Sequence, residues 1–350
     1  MPKQKVLQLD DECKMKKEPE VKEEEQQPRR HEMQGVGGGD GMVEALAASG
    51  RGEGGERDSV AGGAVRVIGK GGSGSGEFEC PRFVAFDDVG NLVVSDCHNH
   101  RIQVLRFRDG LLLRTIGSKG GGDGQFMHPW GICFDRSGHL VVADCCNKRV
   151  QVLRYSDGSH VRSFSFYAYG TEQLQCPCDV AIDPEGNIVV HDSETFQFKG
   201  RIQVFRLSDG AHVRSMCIKG SDNGQLNGPG CIAFDDEGNL VVSDCHNHRI
   251  QVLRYRDGLH LRTIGSKGGG DGQFMYPRGF SFDPFGQLVV ADCHNHRVQV
   301  MRYSDGAHVR SIGSHGSGAG QLQHPFDVAI NGDGRIVVVD SYNHRVQVLP

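Results

Sequence analysis

Apolar residues along most of the chain form short runs separated by turns rich in Gly and Asp. Between positions 129 and 164 this pattern predicts four strands, at 131–134, 139–143, 149–155 and 160–164. Val, Ile, Leu and aromatic residues fill these runs, as is typical of strands. Gly and Asp occupy the segments between them, as is typical of tight turns. The pattern therefore predicts an all-β chain.

The strand pattern repeats six times. Segment 90–106 recurs unchanged at 238–254, and weaker copies begin at Gly138, Gly186, Gly286 and Gly334. Each copy opens with a proline: Pro81, Pro129, Pro177, Pro229, Pro277 and Pro325. Each also has an arginine before an (Ile/Val)-Gln-Val core: Arg101, Arg149, Arg201, Arg249, Arg297 and Arg345. Four short antiparallel strands per period of roughly 40–50 residues are typical of a propeller blade. The sequence thus predicts a six-bladed β-propeller with four-stranded blades.

The two ends of the repeat region complement each other. The sixth copy stops at Pro350 after its third strand, while the segment 64–69 matches the fourth strand of the fifth copy, at 308–313. We expect this N-terminal segment to complete the last blade and close the ring, since closure removes an exposed strand edge.

The repeated residues also resemble a known family. The pattern Pro-x-Gly-(Ile/Val)-x-x-Asp-x-x-Gly-x-(Leu/Ile)-Val-Val-x-Asp-x-x-Asn-x-Arg-(Ile/Val)-Gln-Val resembles the NHL repeat and extends over 64–350. The resemblance implies a relation to TRIM-NHL proteins, whose propellers bind RNA or proteins through one face. It implies a ubiquitin-ligase context only by association, because no RING or B-box cysteine array is present. Related peptidylglycine-cleaving lyases are metal enzymes.

Composition divides the chain in two. Residues 1–63 carry a formal charge of −4 (10 Lys and Arg against 14 Asp and Glu) out of −5 for the whole chain, and are first charged, then Gly-rich. Such a segment is expected to be disordered, leaving 64–350 as the propeller. No signal peptide or membrane-length apolar run is found, so we expect a cytoplasmic protein, with the nucleus as a further possibility. The 12 cysteines are then expected to be reduced thiols.

The meander predicts two chemically different ends. Aspartates such as Asp87, Asp135 and Asp283 collect at the turns between first and second and between third and fourth strands. The opposite end carries the loops between second and third strands, which supply our candidate binding residues His98, His100, Lys148, His246, His248, His294 and His296. Such a His- and Lys-rich end suits phosphates or an acidic partner.

Two further groups of candidate binding residues depart from the repeat. The residues after the opening prolines are expected at the mouth of the central channel, where Arg82, Trp130, Arg278 and Phe326 offer cationic and aromatic contacts. The third blade has a longer loop and an aromatic linker, which predict an aromatic corner comprising Phe166, Tyr167, Tyr169, Phe196, Phe198 and Lys199. Aromatic rings beside cations suit base stacking or a hydrophobic protein motif, or pack together merely to order the loop.

The sequence favours binding over catalysis. Ser, His and Asp residues recur with the repeat and form no singular catalytic set. Cys-His-x-His occurs three times, but its spacing is not that of an established zinc site and we expect the blades to hold the clusters apart, so no metal and no cofactor are predicted. We therefore expect a monomeric, non-catalytic platform, with RNA as the favoured partner and no small-molecule substrate. The alternatives are a protein-interaction module and, least favoured, a metal-dependent lyase or hydrolase.

Overall fold

The computed structural model describes residues 65–165, 174–194, 199–216, 218–228 and 230–350. Its strands build six antiparallel sheets of four strands each, which confirms the predicted all-β, six-bladed propeller. In the described part of the chain no helix is both long and apolar enough to cross a membrane.

The strands of the first three blades follow one another along the chain after the initial strand β1. Strand β1 covers Arg66–Ile68. Blade 1 contains β2 (Pro81–Phe86), β3 (Leu92–Asp96), β4 (Arg101–Leu105) and β5 (Leu112–Ile116). Blade 2 contains β6 (Pro129–Phe134), β7 (Leu140–Asp144), β8 (Arg149–Leu153) and β9 (His160–Phe164). Blade 3 contains β10 (Pro177–Ile182), β11 (Ile188–Glu194), β12 (Lys199–Phe205) and β13 (His212–Met216).

The second half of the ring repeats this order. The short strands β14 (Ile218–Lys219) and β15 (Gln225–Leu226) pair in parallel before blade 4. Blade 4 contains β16 (Ile232–Phe234), β17 (Leu240–Asp244), β18 (Arg249–Arg254) and β19 (Leu259–Ile264). A second short pair, β20 (Ser266–Lys267) and β21 (Gln273–Phe274), precedes blade 5. Blade 5 contains β22 (Pro277–Phe282), β23 (Gln287–Asp292), β24 (Arg297–Arg302) and β25 (His308–Ile312). Blade 6 contains β26 (Pro325–Ile330), β27 (Ile336–Asp340) and β28 (Arg345–Leu349).

Strand β1 completes blade 6, as the sequence predicted. It pairs antiparallel with β28, so that Arg66 lies opposite Val348 and Ile68 opposite Val346. Ile68 is buried, whereas its neighbour Val67 points outward and is exposed. The alternation is that of a strand with one face on the core, and the ring is closed by a strand from the other end of the repeat region.

A buried aspartate at or near the end of each second strand holds the blade together. Asp96 is fully buried, and its Oδ1 accepts a hydrogen bond from the backbone N–H of Glu79 at 2.7 Å. Its Oδ2 accepts from Asn99 Nδ2, Arg101 Nε and Gln103 Nε2 at 2.9, 2.8 and 3.0 Å. Equivalent Asp–Arg pairs occur in the other blades: Asp144–Arg149, Asp192–Arg201, Asp244–Arg249, Asp292–Arg297 and Asp340–Arg345. An Asp–Arg pair is thus observed in every blade.

Tyrosines join neighbouring blades at the acidic end. Tyr155 of blade 2 donates its hydroxyl to Asp87 Oδ2 of blade 1 at 2.8 Å. Tyr255 and Tyr303 reach Asp183 and Asp235 in the same way. Since these carboxylates already bind the turn backbone and a tyrosine, they act as connectors between blades.

Candidate functional site

The loops between the second and third strands bring histidines to one end of the propeller, here called the histidine end. In blade 1 the loop Cys97–Asn99 is a single 3-10 turn, which ends at His100 in the left-handed conformation (φ 56°). Asn99 Nδ2 donates to Asp96 Oδ2 and to the Gly72 carbonyl, both at 2.9 Å. The same turn recurs in blades 2, 4, 5 and 6. These bonds fix the direction in which each loop presents its side chains.

The two histidines of a loop have different roles. The Nδ1 of the second histidine accepts a hydrogen bond from the backbone N–H of the residue before the next blade's proline. This bond links His100 to His128, His248 to Tyr276 and His296 to His324, at 3.1, 3.1 and 3.2 Å. The second histidine is therefore a joint between blades, and three of the seven predicted loop residues have this structural task.

The first histidine instead faces a buried thiol and a side chain from the next blade. Cys97, His98 and His128 form one such cluster, in which one potential ligand atom from each residue lies within 4.8 Å of the others. Cys293, His294 and His324 form a second cluster of the same kind. In both clusters the cysteine is buried and the histidines are partly open. We call these the 1/2 cluster and the 5/6 cluster after the blades that build them.

The 5/6 cluster lies in an environment that keeps its imidazoles neutral. Burial, followed by the nearby Arg278 guanidinium, lowers the pKa of His294 to about 4. Burial and the imidazole of His296 lower the pKa of His324 to about 3. Burial also raises the pKa of the Cys293 thiol to about 12. Its Sγ lies 3.7 Å from His324 Nδ1.

Other blade interfaces carry different residues at the same three positions. Between blades 4 and 5 they are Cys245, His246 and Tyr276, with the His246 and Tyr276 ring centroids 5.2 Å apart. Between blades 2 and 3 all three are cysteines, and the Sγ atoms of Cys145 and Cys176 lie 2.6 Å apart. The ring therefore repeats one framework with different donor atoms.

The structure brings the predicted channel-mouth residues together but buries most of their surface. The Arg82 guanidinium lies 4.4 Å from the ring centroid of Phe326 and 5.0 Å from that of Trp130. Arg278 lies 5.1 Å from the same phenylalanine ring. Arg82, Trp130 and Phe326 are only 4%, 7% and 5% exposed, so they pack mainly on one another. Cation–π contacts between desolvated groups of this kind stabilise the packing of these residues.

The predicted aromatic corner lies outside the described residues. This applies to Phe166, Tyr167, Tyr169, Phe196 and Phe198, while Lys199 opens strand β12. Of the remaining loop candidates, Lys148 is exposed and ends the blade 2 turn in the left-handed conformation (φ 55°).

Sequence reasoning missed three buried titratable groups. Asp179 lies directly opposite His191 in the pairing of β10 with β11. Burial raises the pKa of Asp179 to about 7, although hydrogen bonds from the backbone N–H groups of Ile232 and Val180 act to lower it. It also raises the pKa of Asp327, whose Oδ2 accepts from the Val84 backbone N–H at 3.0 Å.

A glycine in the preceding blade marks each of these aspartates. A Cβ added to Gly279 would lie 2.6 Å from the Asp327 Cα, and Gly131 meets Asp179 in the same way. Only glycine fits at such a close approach. The pairing of Gly in blades 2 and 5 with Asp in blades 3 and 6 is the sequence signal that reveals them.

The repeated sequence of the blades matches a known protein family. The NHL repeat family matches residues 78–105, 126–153, 226–253, 274–301 and 322–349, which fall in five of the six blades. The chain is an NHL-repeat propeller. Comparison with curated protein sequences gave no match. The resemblance to TRIM proteins in particular stays a prediction.

Several solved structures share the fold of this NHL-repeat propeller. A gluconolactonase from Xanthomonas campestris is 18% identical with a TM-score of 0.59, over 79% of this chain and 88% of that one. A catalytically inactive histidine-to-alanine variant of virginiamycin B lyase from Staphylococcus aureus, solved with quinupristin, is 11% identical with a TM-score of 0.52, over 79% and 80%. A Bacteroides thetaiotaomicron protein of unknown function is 16% identical with a TM-score of 0.63, over 81% and 75%. At these identities the likeness shows the fold.

These comparisons correct one expectation from the sequence. The expected non-catalytic, RNA-binding platform is wrong, because the solved propellers with this fold include proteins named as gluconolactonases. They favour the enzymatic alternative, which the sequence placed last.

Proposed function

We propose that this NHL-repeat propeller is a hydrolase that opens cyclic esters, with its reacting site at the histidine end. The observation that carries the proposal is the partly open cluster of a thiol and two imidazoles at a blade interface, which occurs twice among the described residues. The likeness to a gluconolactonase supports the choice of a lactone as substrate class.

The 5/6 cluster has the groups that ester hydrolysis needs. An attacking water must be held close to the ester, and the imidazole nitrogens of the cluster can accept hydrogen bonds from it. The carbonyl oxygen of the ester gains negative charge in the transition state, and a fixed cation or N–H donor stabilises it. Arg278 is near enough to His294 and Cys293 to influence the pKa of both, so it is the candidate for this second role.

The joint between blades 5 and 6 keeps these groups in place. His296 Nδ1 binds the backbone N–H of His324 at 3.2 Å, which fixes the backbone that carries the His324 imidazole. Catalytic groups held by secondary contacts lose little free energy to reorganisation during the reaction. A substrate would approach from the open side of His294 and His324.

The test is hydrolysis of a panel of lactones, including gluconolactone, by the full chain. We expect a saturable rate above the spontaneous rate. Because the site occurs twice, the informative variant replaces His98, His128, His294 and His324 by alanine together. It should lower kcat/KM by about 10²-fold or more. The control is His260→Ala, which changes a histidine on the outer strand β19 that binds Thr263.

Two results would refute this function. One is the absence of any rate above background on every lactone. The other is a kcat/KM that is the same in the fourfold variant as in the unchanged protein. The cytoplasmic location and the monomeric state stay predictions.

A further inference from the structure

A thiol and two imidazoles from adjacent blades meet at the same three positions in the 1/2 and 5/6 clusters. Two of the donors come from one loop, and the third comes from the residue before the next blade's proline. That residue, His128 or His324, has a positive φ of 56° or 51°. This unusual backbone conformation turns its side chain toward the preceding blade, where the buried cysteine lies.

We propose that each of these clusters binds one zinc ion through Cys Sγ and two His nitrogens. Zinc prefers thiolate and imidazole donors at about 2.3 and 2.0–2.1 Å, in tetrahedral geometry. Tetrahedral ligands at these distances lie roughly 3.3–3.6 Å from one another. The separation of Cys293 Sγ from His324 Nδ1 is 3.7 Å, so small side-chain movements bring these donors to the metal.

The donor number points to an open site. Structural zinc sites usually have four protein ligands, whereas catalytic sites have three and leave the fourth position to water or substrate. Each cluster offers three, and its histidines are partly open to solvent. The catalytic meaning of the metal rests on the proposed hydrolase function, because zinc-bound water loses its proton near neutral pH. The binding of the metal does not depend on that function.

Binding of zinc would change the charge of each cluster. Zinc binds imidazole in its neutral form. The cysteine must lose its proton on binding, and the resulting thiolate offsets one of the two charges of the metal. In the 5/6 cluster the Arg278 guanidinium repels the remaining positive charge.

The interface between blades 4 and 5 provides a natural comparison. It has the same cysteine and first histidine, Cys245 and His246, and the same joint from His248 to the next blade. Its third position is Tyr276, which also has a positive φ of 52°. Since a tyrosine replaces the third imidazole there, we expect no zinc site at this interface. A single substitution should create one.

The experiment counts zinc on the full chain. Protein freed of metal by a chelator is titrated with Zn²⁺ and the bound metal is measured, and Co²⁺ is added in a parallel sample to reveal thiolate coordination by its absorption. His128→Tyr and His324→Tyr should each remove one equivalent, because tyrosine already occupies this position in blade 5. Tyr276→His should add one equivalent. His260→Ala is the control and should leave the number unchanged.

The outcomes separate this inference from the hydrolase proposal. Zinc binding at full stoichiometry in the combined His128→Tyr/His324→Tyr variant would overturn the assignment of the sites. Failure of Tyr276→His to gain zinc would overturn the third position as the deciding ligand. Zinc bound as expected without lactone hydrolysis would sustain the metal sites and refute the hydrolase. Lactone hydrolysis by a protein that binds no zinc would sustain the hydrolase and refute the metal sites.

Discussion

The Nδ1 of His100 accepts a hydrogen bond from the backbone N–H of His128, which lies 3.1 Å away in the next blade. The ring of His98, two residues earlier, approaches the ring of the same His128 with a centroid separation of 5.1 Å. One loop thus uses one histidine to bind the backbone of a neighbour and another to meet its side chain. The two tasks are separable by substitution.

Replacing His100 should cost stability, whereas replacing His98 should not. Asparagine tolerates the left-handed conformation at position 100, so His100→Asn removes mainly the hydrogen bond. We expect a loss of about 1–2 kcal/mol, because a partly buried N–H loses its acceptor. Denaturant unfolding of both metal-free variants is the measurement. Equal losses for His98→Asn and His100→Asn would contradict the division of roles.

The buried aspartates should matter far more than the exposed ones. Asp292 is fully buried and accepts from Asn295, Arg297 and Gln299. Asp292→Asn puts an amide NH₂ group, which donates, where a carboxylate oxygen accepted these three hydrogen bonds. It also leaves Arg297 without its carboxylate partner. We expect a loss of about 3–5 kcal/mol in the free energy of unfolding.

Asp305 provides the control for this prediction. It lies between β24 and β25 and pairs with Arg302, the last residue of β24, at 2.7 Å. Both side chains are exposed to solvent. Exposed ion pairs contribute little, so Asp305→Asn should leave the unfolding midpoint unchanged. A comparable loss in both variants would show that burial is not what makes the blade aspartates important.

The closing strand can be tested by two adjacent residues. Ile68 is 3% exposed and lies opposite Val346, whereas Val67 is 41% exposed. Ile68→Ala should destabilise the protein by about 2–4 kcal/mol, because it leaves a cavity in blade 6. Val67→Ala should cost little. Thermal unfolding of the two variants decides the matter, and a negligible effect of Ile68→Ala would mean that β1 does not hold the ring.

His191 should make stability depend on pH in the acid range. The side chain is 1% exposed. Burial lowers its pKa to about 3, and this effect outweighs the hydrogen bond with the backbone of Gly230, which acts to raise the pKa. The unfolded chain protonates this imidazole near pH 6.5, so its neutral form stabilises the fold above that pH. This contribution is lost as the pH falls from about 6.5 to about 3.

Serine occupies the equivalent position in blades 1 and 4, at Ser95 and Ser243, so His191→Ser is the matched variant. We expect the free energy of unfolding to fall less steeply between pH 6.5 and 4 in the variant than in the unchanged protein. Urea unfolding at several pH values measures both slopes. Parallel slopes would mean that His191 does not titrate as its burial requires.

The fold was readable from the sequence because its determinants are local and repeated. In five of the six copies an Asp, Asn, Arg and Gln bind one another within a single blade, as Asp96 does with Arg101, and their spacing therefore recurs. The strand limits shifted slightly, since Pro129 pairs with Asp144 across a bulge that the hydrophobic pattern does not mark. The closing strand was readable for a related reason, because its partner lacks a fourth strand.

The candidate site was harder to predict because it lies between repeats. Cys293 and His324 are 31 residues apart and belong to different copies, so alignment of the copies places them in different columns. The residue after each proline attracted attention, although Trp130 and Phe326 turn out to pack together. The residue before the proline, His128 or His324, was passed over. The packing of neighbouring blades brings this residue to the loop.

The pairing of Arg66 with Val348 has a consequence for how the protein folds. Every other four-stranded sheet in the described residues is built from hairpins that close over short stretches of chain, and such contacts form early. The last contact must close a loop of roughly 280 residues, whose entropic cost cannot be recovered until the neighbouring blades already stand in place. We expect this strand to dock last, and a slow final kinetic phase should then report the completion of the whole circle.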